Sequence, residues 1–128
     1  EIQADRMEVS QKTGRVLFTG HVHARRGALR LRCDRLDAEY QDGKLLGMTA
    51  SNNVRVKSKD FEASARKASF DQATGILILS GKPRLTRGKS IIEGQSIRIW
   101  IDDERVIVEK AKATLDSKFI KSLRRKEP

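Results

Sequence analysis

Two histidines, one cysteine and a few neighbouring acids are the residues here whose types could do chemistry. His21 and His23 stand two apart, so on a strand they share a face, as a pair of metal ligands does. No third ligand lies near them, and a surface pair is the better reading. Cys33 is the single cysteine, which excludes an intrachain disulfide and a clustered thiolate site. It lies in an alternating segment and reads as a buried structural thiol. Asp102-Asp103 falls in a turn signal. Asp34 and Asp37 sit among arginines, where ion pairing explains them better than acid–base catalysis. The chain has no phosphate-binding glycine loop, no GxSxG elbow and no zinc-type cysteine pair. The expectation is a non-enzymatic protein without metal or cofactor, whose function is binding.

The elements that carry these residues repeat. At an offset of 61 positions, Ala4, Gln11, Thr13, Gly14, Gly20, Gly27, Asp42 and Ala50 recur as Ala65, Gln72, Thr74, Gly75, Gly81, Gly88, Asp103 and Ala111. A fixed offset identifies the structural unit. Within each copy, apolar and polar residues alternate with period two. Leu29, Leu31 and Cys33 alternate with Arg30, Arg32 and Asp34. After a one-residue shift, Leu36, Ala38 and Tyr40 alternate with Asp37 and Glu39, which is the mark of a β-bulge or a sheet corner. Turn signals separate the runs: Gln11-Lys12-Thr13-Gly14, Gln41-Asp42-Gly43-Lys44, Ser51-Asn52-Asn53, Gln72-Ala73-Thr74-Gly75 and Asp102-Asp103-Glu104. Pro83 belongs at a strand end or sheet edge. Helix has no support before Asp116. The expected fold is all-β: a stacked or rolled antiparallel sheet built from two sequence-similar halves, as one domain over residues 1–115 with a basic tail over 116–128.

Positions apolar in both copies nominate the inner face: Val16/Leu77, Phe18/Leu79, Ala24/Leu85, Leu31/Ile92, Leu36/Ile97, Ala38/Ile99, Tyr40/Ile101 and Leu45/Val106. Leu17/Ile78 is apolar twice on the other face and suggests a second covered surface. Many inward positions are small or β-branched, so patterning alone fits either an interior that holds acyl chains or a thin sandwich packed on itself.

Charge restricts the partner. The 128 residues carry a net +10. Basic side chains cluster at Arg25, Arg26, Arg30, Arg32 and Arg35, and again at Lys118, Lys121, Arg124, Arg125 and Lys126. An anionic partner follows: nucleic acid, anionic lipid or a phosphorylated sugar. Aromatics make up only 5% of the chain, too few for a surface that stacks bases, so no nucleic acid is expected. No apolar run reaches the roughly twenty residues that span a bilayer. The chain opens inside a strand-like segment without a secretory leader, as a mature or trimmed form would.

The residues resemble a known family. Ala4 to Val9, Lys12-Thr13-Gly14 and Phe18-Thr19-Gly20-His21-Val22 are similar to the OstA-like domain of lipopolysaccharide transport. The second copy repeats the pattern in Ala65 to Ala68, Phe70-Asp71, Thr74-Gly75, Leu79-Ser80-Gly81-Lys82-Pro83-Arg84-Leu85 and Ile92-Glu93-Gly94-Gln95-Ser96-Ile97. The family's usual asparagine is replaced in both copies, by His21 and Lys82. The layout is most like that of the family's periplasmic bridge protein.

The resemblance implies a twisted antiparallel β-jellyroll, open-ended, which shields the acyl chains of lipopolysaccharide (lipid A) between the inner and outer membranes. It implies a periplasmic location after removal of a signal peptide. It implies head-to-tail homo-oligomers joined edge strand to edge strand, with inner- and outer-membrane components of the same fold as partners. The lipid-facing residues would be Val16, Phe18, Val22, Leu29, Leu31, Leu36, Ala38, Val54, Val56, Phe61, Ala63, Leu77, Leu79, Ile92, Ile97 and Ile99. Arg25, Arg26, Arg30, Arg32, Arg84 and Arg87 are the candidates to meet lipid A phosphates at the groove mouth. The alternatives are the periplasmic domain of the inner- or outer-membrane partner, a basic β-sheet module for nucleic acid, and an assembly module with a dry interior.

Overall fold

Alternation with period two, interrupted by glycines, produces antiparallel ladders almost throughout. The computed structural model describes residues 1–103 and 105–123. Its strands are β1 (Ile2–Gln3), β2 (Arg6–Ser10), β3 (Arg15–Arg26), β4 (Leu29–Gln41), β5 (Lys44–Lys57), β6 (Glu62–Asp71), β7 (Ile76–Ser80), β8 (Arg84–Arg87), β9 (Ser90–Glu93), β10 (Ser96–Trp100), β11 (Arg105–Glu109) and β12 (Lys112–Thr114). The helix α1 (Ser117–Ser122) follows.

One seam of irregularity crosses the whole sheet. The register shifts between Thr19 and Val22 in β3, between Arg32 and Arg35 in β4, and between Ser51 and Val54 in β5. In the second copy the same level becomes a gap, at Gly81-Lys82-Pro83, Gly94-Gln95 and Lys110-Ala111. The seam divides the ladder in two. A first sheet runs β2-β3-β4-β5-β6-β7-β10-β11, and a second runs β1-β3-β4-β5-β6-β8-β9-β12. The long strands β3 to β6 belong to both. A single buried cluster draws from both sheets, Leu36, Leu79 and Ile97 from the first and Val22, Val54 and Val56 from the second. The sheet therefore folds back on itself about the seam, as bulges allow.

The repeated glycines are explained here. Gly20 and Gly81 lie at the seam with φ of 80° and 75°. Each accepts a hydrogen bond across it, Asp5 N–H to Gly20 O at 2.8 Å and Arg66 N–H to Gly81 O at 3.0 Å. A Cβ on Gly20 would meet the Asp5 side chain at 2.5 Å, and one on Gly81 the Arg66 Cβ at 2.6 Å. Both positive φ and crowding select glycine.

Two expectations change. Ser51-Asn52-Asn53 is not a turn between strands but a bulge inside β5, with Asn52 and Asn53 at φ of 67° and 52°. Asparagine tolerates that region, so a turn signal and a bulge signal look alike in sequence. The offset of 61 does not hold to the end. Met48 faces Ala38 in the first copy, whereas Val106 faces Ile99 in the second. The second hairpin is thus three residues shorter, and Val108, not Ala111, takes the place of Ala50. The segment after Leu115 begins with a short helix: the Asp116 carboxylate accepts from Phe119 N–H at 2.8 Å, and Ser90 Oγ accepts from Asp116 N–H at 2.9 Å. The basic residues Arg124, Arg125 and Lys126 lie outside the described residues.

Candidate functional site

The inner face is continuous across both sheets. Of the nominated residues, Phe18, Val22, Leu36, Ala38, Val54, Val56, Ala63, Leu77, Leu79, Ile97 and Ile99 are buried in the core. Val16, Leu29, Leu31, Phe61 and Ile92 are half-buried against it. Burial fades toward the sheet edges. Met7 and Val9 on β2 face Phe18 and Val16 across the ladder, so they extend the inner face, yet they are 60% and 54% exposed. At the opposite edge Val106 on β11 faces Ile99 and is 42% exposed. Its expected burial beside Leu45 fails because, among the described residues, nothing pairs beyond β11 on that path. Met7 and Val9 were not singled out in sequence, although their alternation with Glu8 carried the signal.

The arginine candidates separate. Arg26 and Arg87 lie on the inner face at the free tips of the second sheet. Arg26 stands over the Phe70 ring at 5.1 Å and its Nη1 donates to Gln72 Oε1 at 3.4 Å. Arg87 stands over the Phe119 ring of α1 at 5.4 Å. Arg25, Arg30, Arg32 and Arg84 point the other way, onto the outer face of the second sheet, because they alternate with Ala24, Leu29, Leu31 and Leu85. All four line a cleft on that face. Arg55 and Lys57 join them there, at the register positions of Arg32 and Arg30.

The remaining reactive types are accounted for. Cys33 is buried opposite Val22, and burial pushes its thiol up to about 11. His21, at φ 46°, shares a 2.7 Å hydrogen bond between its Nδ1 and Asp5 Oδ2, which raises its pKa above the ordinary 6.5. Asp34 accepts from Asn53 Nδ2 at 2.7 Å, and Asp37 pairs with Arg35 at 3.3 Å. Among the described residues no group of three metal-ligating side chains converges, and no helix is long and apolar enough to cross a membrane. Leu17 and Ile78 lie on the outer face of the first sheet, where Ile78 lines a shallow cleft with Ile76 and Arg98.

Comparison with known proteins bears on what such an interior is for. A family model described as "LptA/(LptD N-terminal domain) LPS transport protein" matches residues 1–105. No curated protein matches the chain. Among solved structures, that of LptH from Pseudomonas aeruginosa, described as the LptA-homologous periplasmic component of the lipopolysaccharide transport device, aligns with a TM-score of 0.82. The identity is 16%, over 91% of this chain and 94% of that one. The likeness shows the fold, and the open β-jellyroll that the resemblance implies is the fold observed.

Proposed function

The chain belongs to the LPS transport family of LptA and the LptD N-terminal domain, and from that premise we propose a non-enzymatic periplasmic carrier that shields the acyl chains of lipopolysaccharide between the two membranes. One observation carries the reading. The inner apolar face runs from edge to edge of the sheet and emerges into solvent at both ends, at Met7 and Val9 on one side and Val106 on the other. A dry core would give no reason to leave those ends uncovered.

Each methylene withdrawn from water is worth about 0.8 kcal/mol, so several acyl chains free in the aqueous space would be strongly unfavourable. A groove of comparable apolarity along the route lets chains pass between neighbouring sites at little cost. Arg26 and Arg87, at the rim of that face, suit the lipid A phosphates. The two free edges, β1 with β2 and β11 with β12, each present unpaired backbone groups that template a further strand. Copies joined head to tail would extend one groove, and membrane components of the same fold would continue it.

Photocrosslinking tests the groove. A photoreactive residue at Val16, Leu31 or Val106 is expected to yield a lipopolysaccharide adduct, and one at Thr49, on the outer face of the first sheet, is not. Adducts at Thr49 with none at the three inner positions overturn the reading.

A further inference from the structure

The outer faces of the two sheets are both concave, and they differ in charge. The cleft on the first sheet has about 550 Å³ and sets Arg15 and Arg98 against Asp37, Glu39 and Asp71. The cleft on the second sheet has about 720 Å³ and carries Arg25, Arg30, Arg32, Arg55, Lys57 and Arg84 against Glu1 and Glu62. Basicity is therefore not spread evenly for solubility; it is concentrated on one face.

The register makes that concentration costly. Arg25 lies directly across from Arg30, Arg30 from Lys57, and Arg32 from Arg55. Like charges facing each other across a ladder destabilise it. Relief is scarce: Lys57 pairs with Glu62 at 3.6 Å, and among the described residues none of the five arginines meets a carboxylate. An unrelieved cost maintained on a concave face is the mark of a ligand site.

We propose that this outer cleft binds the phosphorylated saccharide part of the glycolipid whose acyl chains occupy the interior. The inference rests on the carrier reading above. Charge complementarity selects the occupant: guanidinium forks hold phosphate in bidentate fashion. Its lining holds no Phe, Tyr or Trp and a single ring, His23, which is too little to stack successive bases. Continuity supports it further. Arg26 lies on the inner face at the β3 tip, Arg25 and Arg30 on the outer face beside it, and Arg32 and Arg55 one row deeper. Rows two residues apart on a strand are about 6.6 Å apart. A head group leaving the interior at Arg26 thus meets a track of guanidinium groups as it bends over the tip.

The test uses delipidated, phosphorylated core oligosaccharide, its dephosphorylated counterpart and a single-stranded oligonucleotide, titrated into the whole protein and followed by NMR. The phosphorylated sugar is expected to perturb amides of the second sheet. Its affinity should fall about tenfold or more in Arg32→Gln/Arg55→Gln, be unchanged in Arg98→Gln, and be lost on dephosphorylation. Thermal melts of both variants check that folding is intact. No binding, binding indifferent to Arg32 and Arg55, or an oligonucleotide that binds equally well overturns the inference. The two readings fail separately. If Val16 still crosslinks to intact lipopolysaccharide while the sugar does not bind, only this cleft is wrong. If the sugar binds and no inner position crosslinks, only the groove is wrong.

Discussion

Arg26 holds its guanidinium 5.1 Å from the centroid of the Phe70 ring, and this contact joins the free tip of the second sheet to that of the first. Cation–π contact at an exposed site is worth about 0.5–1 kcal/mol. Arg26→Ala is therefore expected to lower stability to urea by about that amount, with a fall in Tm of a few degrees. An unchanged midpoint would show that the tips are not fastened by this pair.

His21 and Lys82 occupy the same place in the two copies, directly after the seam glycines, and both have positive φ, 46° and 52°. A β-carbon in the left-handed region costs about 1–2 kcal/mol, and asparagine is the side chain that tolerates it best. The asparagine usual in the family at these positions thus has a physical reason. Lys82→Asn is expected to stabilise the chain by about 0.5–1 kcal/mol, read from chemical denaturation. Equal or lower stability would mean that the lysine makes a compensating contribution.

The His21–Asp5 hydrogen bond ties the β1–β2 edge to β3 at the seam. Asp5, and more weakly Asp34, raise the imidazole pKa above 6.5. Folding therefore favours the protonated form. That stabilisation is fully present below pH 6.5 and is lost as the pH rises through the raised value. His21→Gln is expected to flatten the pH dependence of Tm over this window. A wild-type profile that rises instead from pH 6 to 8, with the slope removed by the same substitution, contradicts the assignment.

Burial holds the Cys33 thiol near 11, so at pH 8 little thiolate exists in the folded protein. Iodoacetamide is expected to leave Cys33 unmodified under native conditions and to alkylate it quickly in urea. Fast native alkylation would show that the seam opens readily around Val22 and Cys33.

These contacts show what a sequence can and cannot disclose. The shift between Cys33 and Leu36 was readable because a bulge moves the alternation by one residue. The inner face was readable because two copies vote on each position, as at Leu36 and Ile97. The pairing of Arg32 with Arg55 was not, since it depends on the register across a hairpin that contains two bulges. The three-residue shortening of the second hairpin was hidden too: chance matches at Asp103 and Ala111 kept the alignment apparently intact beyond the point where the structures diverge. Residue type alone made Arg25, Arg30, Arg32 and Arg84 candidates for the mouth, although alternation with Ala24, Leu29, Leu31 and Leu85 turns them outward.

The last prediction concerns the two uncovered edges. If copies join head to tail, the contact is heterologous, with β2 of one copy beside β11 of the next. A lysine on an edge strand blocks such pairing. Met7→Lys disables one edge and Val106→Lys the other, so each variant alone is expected to sediment as a monomer at concentrations where the wild type grows with concentration. Each retains one working edge, however. Mixed together, the two variants should form a dimer and nothing larger, because the intact β2 edge of the Val106→Lys chain meets the intact β11 edge of the Met7→Lys chain. Continued growth of either single variant, or a mixture that stays monomeric, would rule out edge-to-edge assembly through these strands.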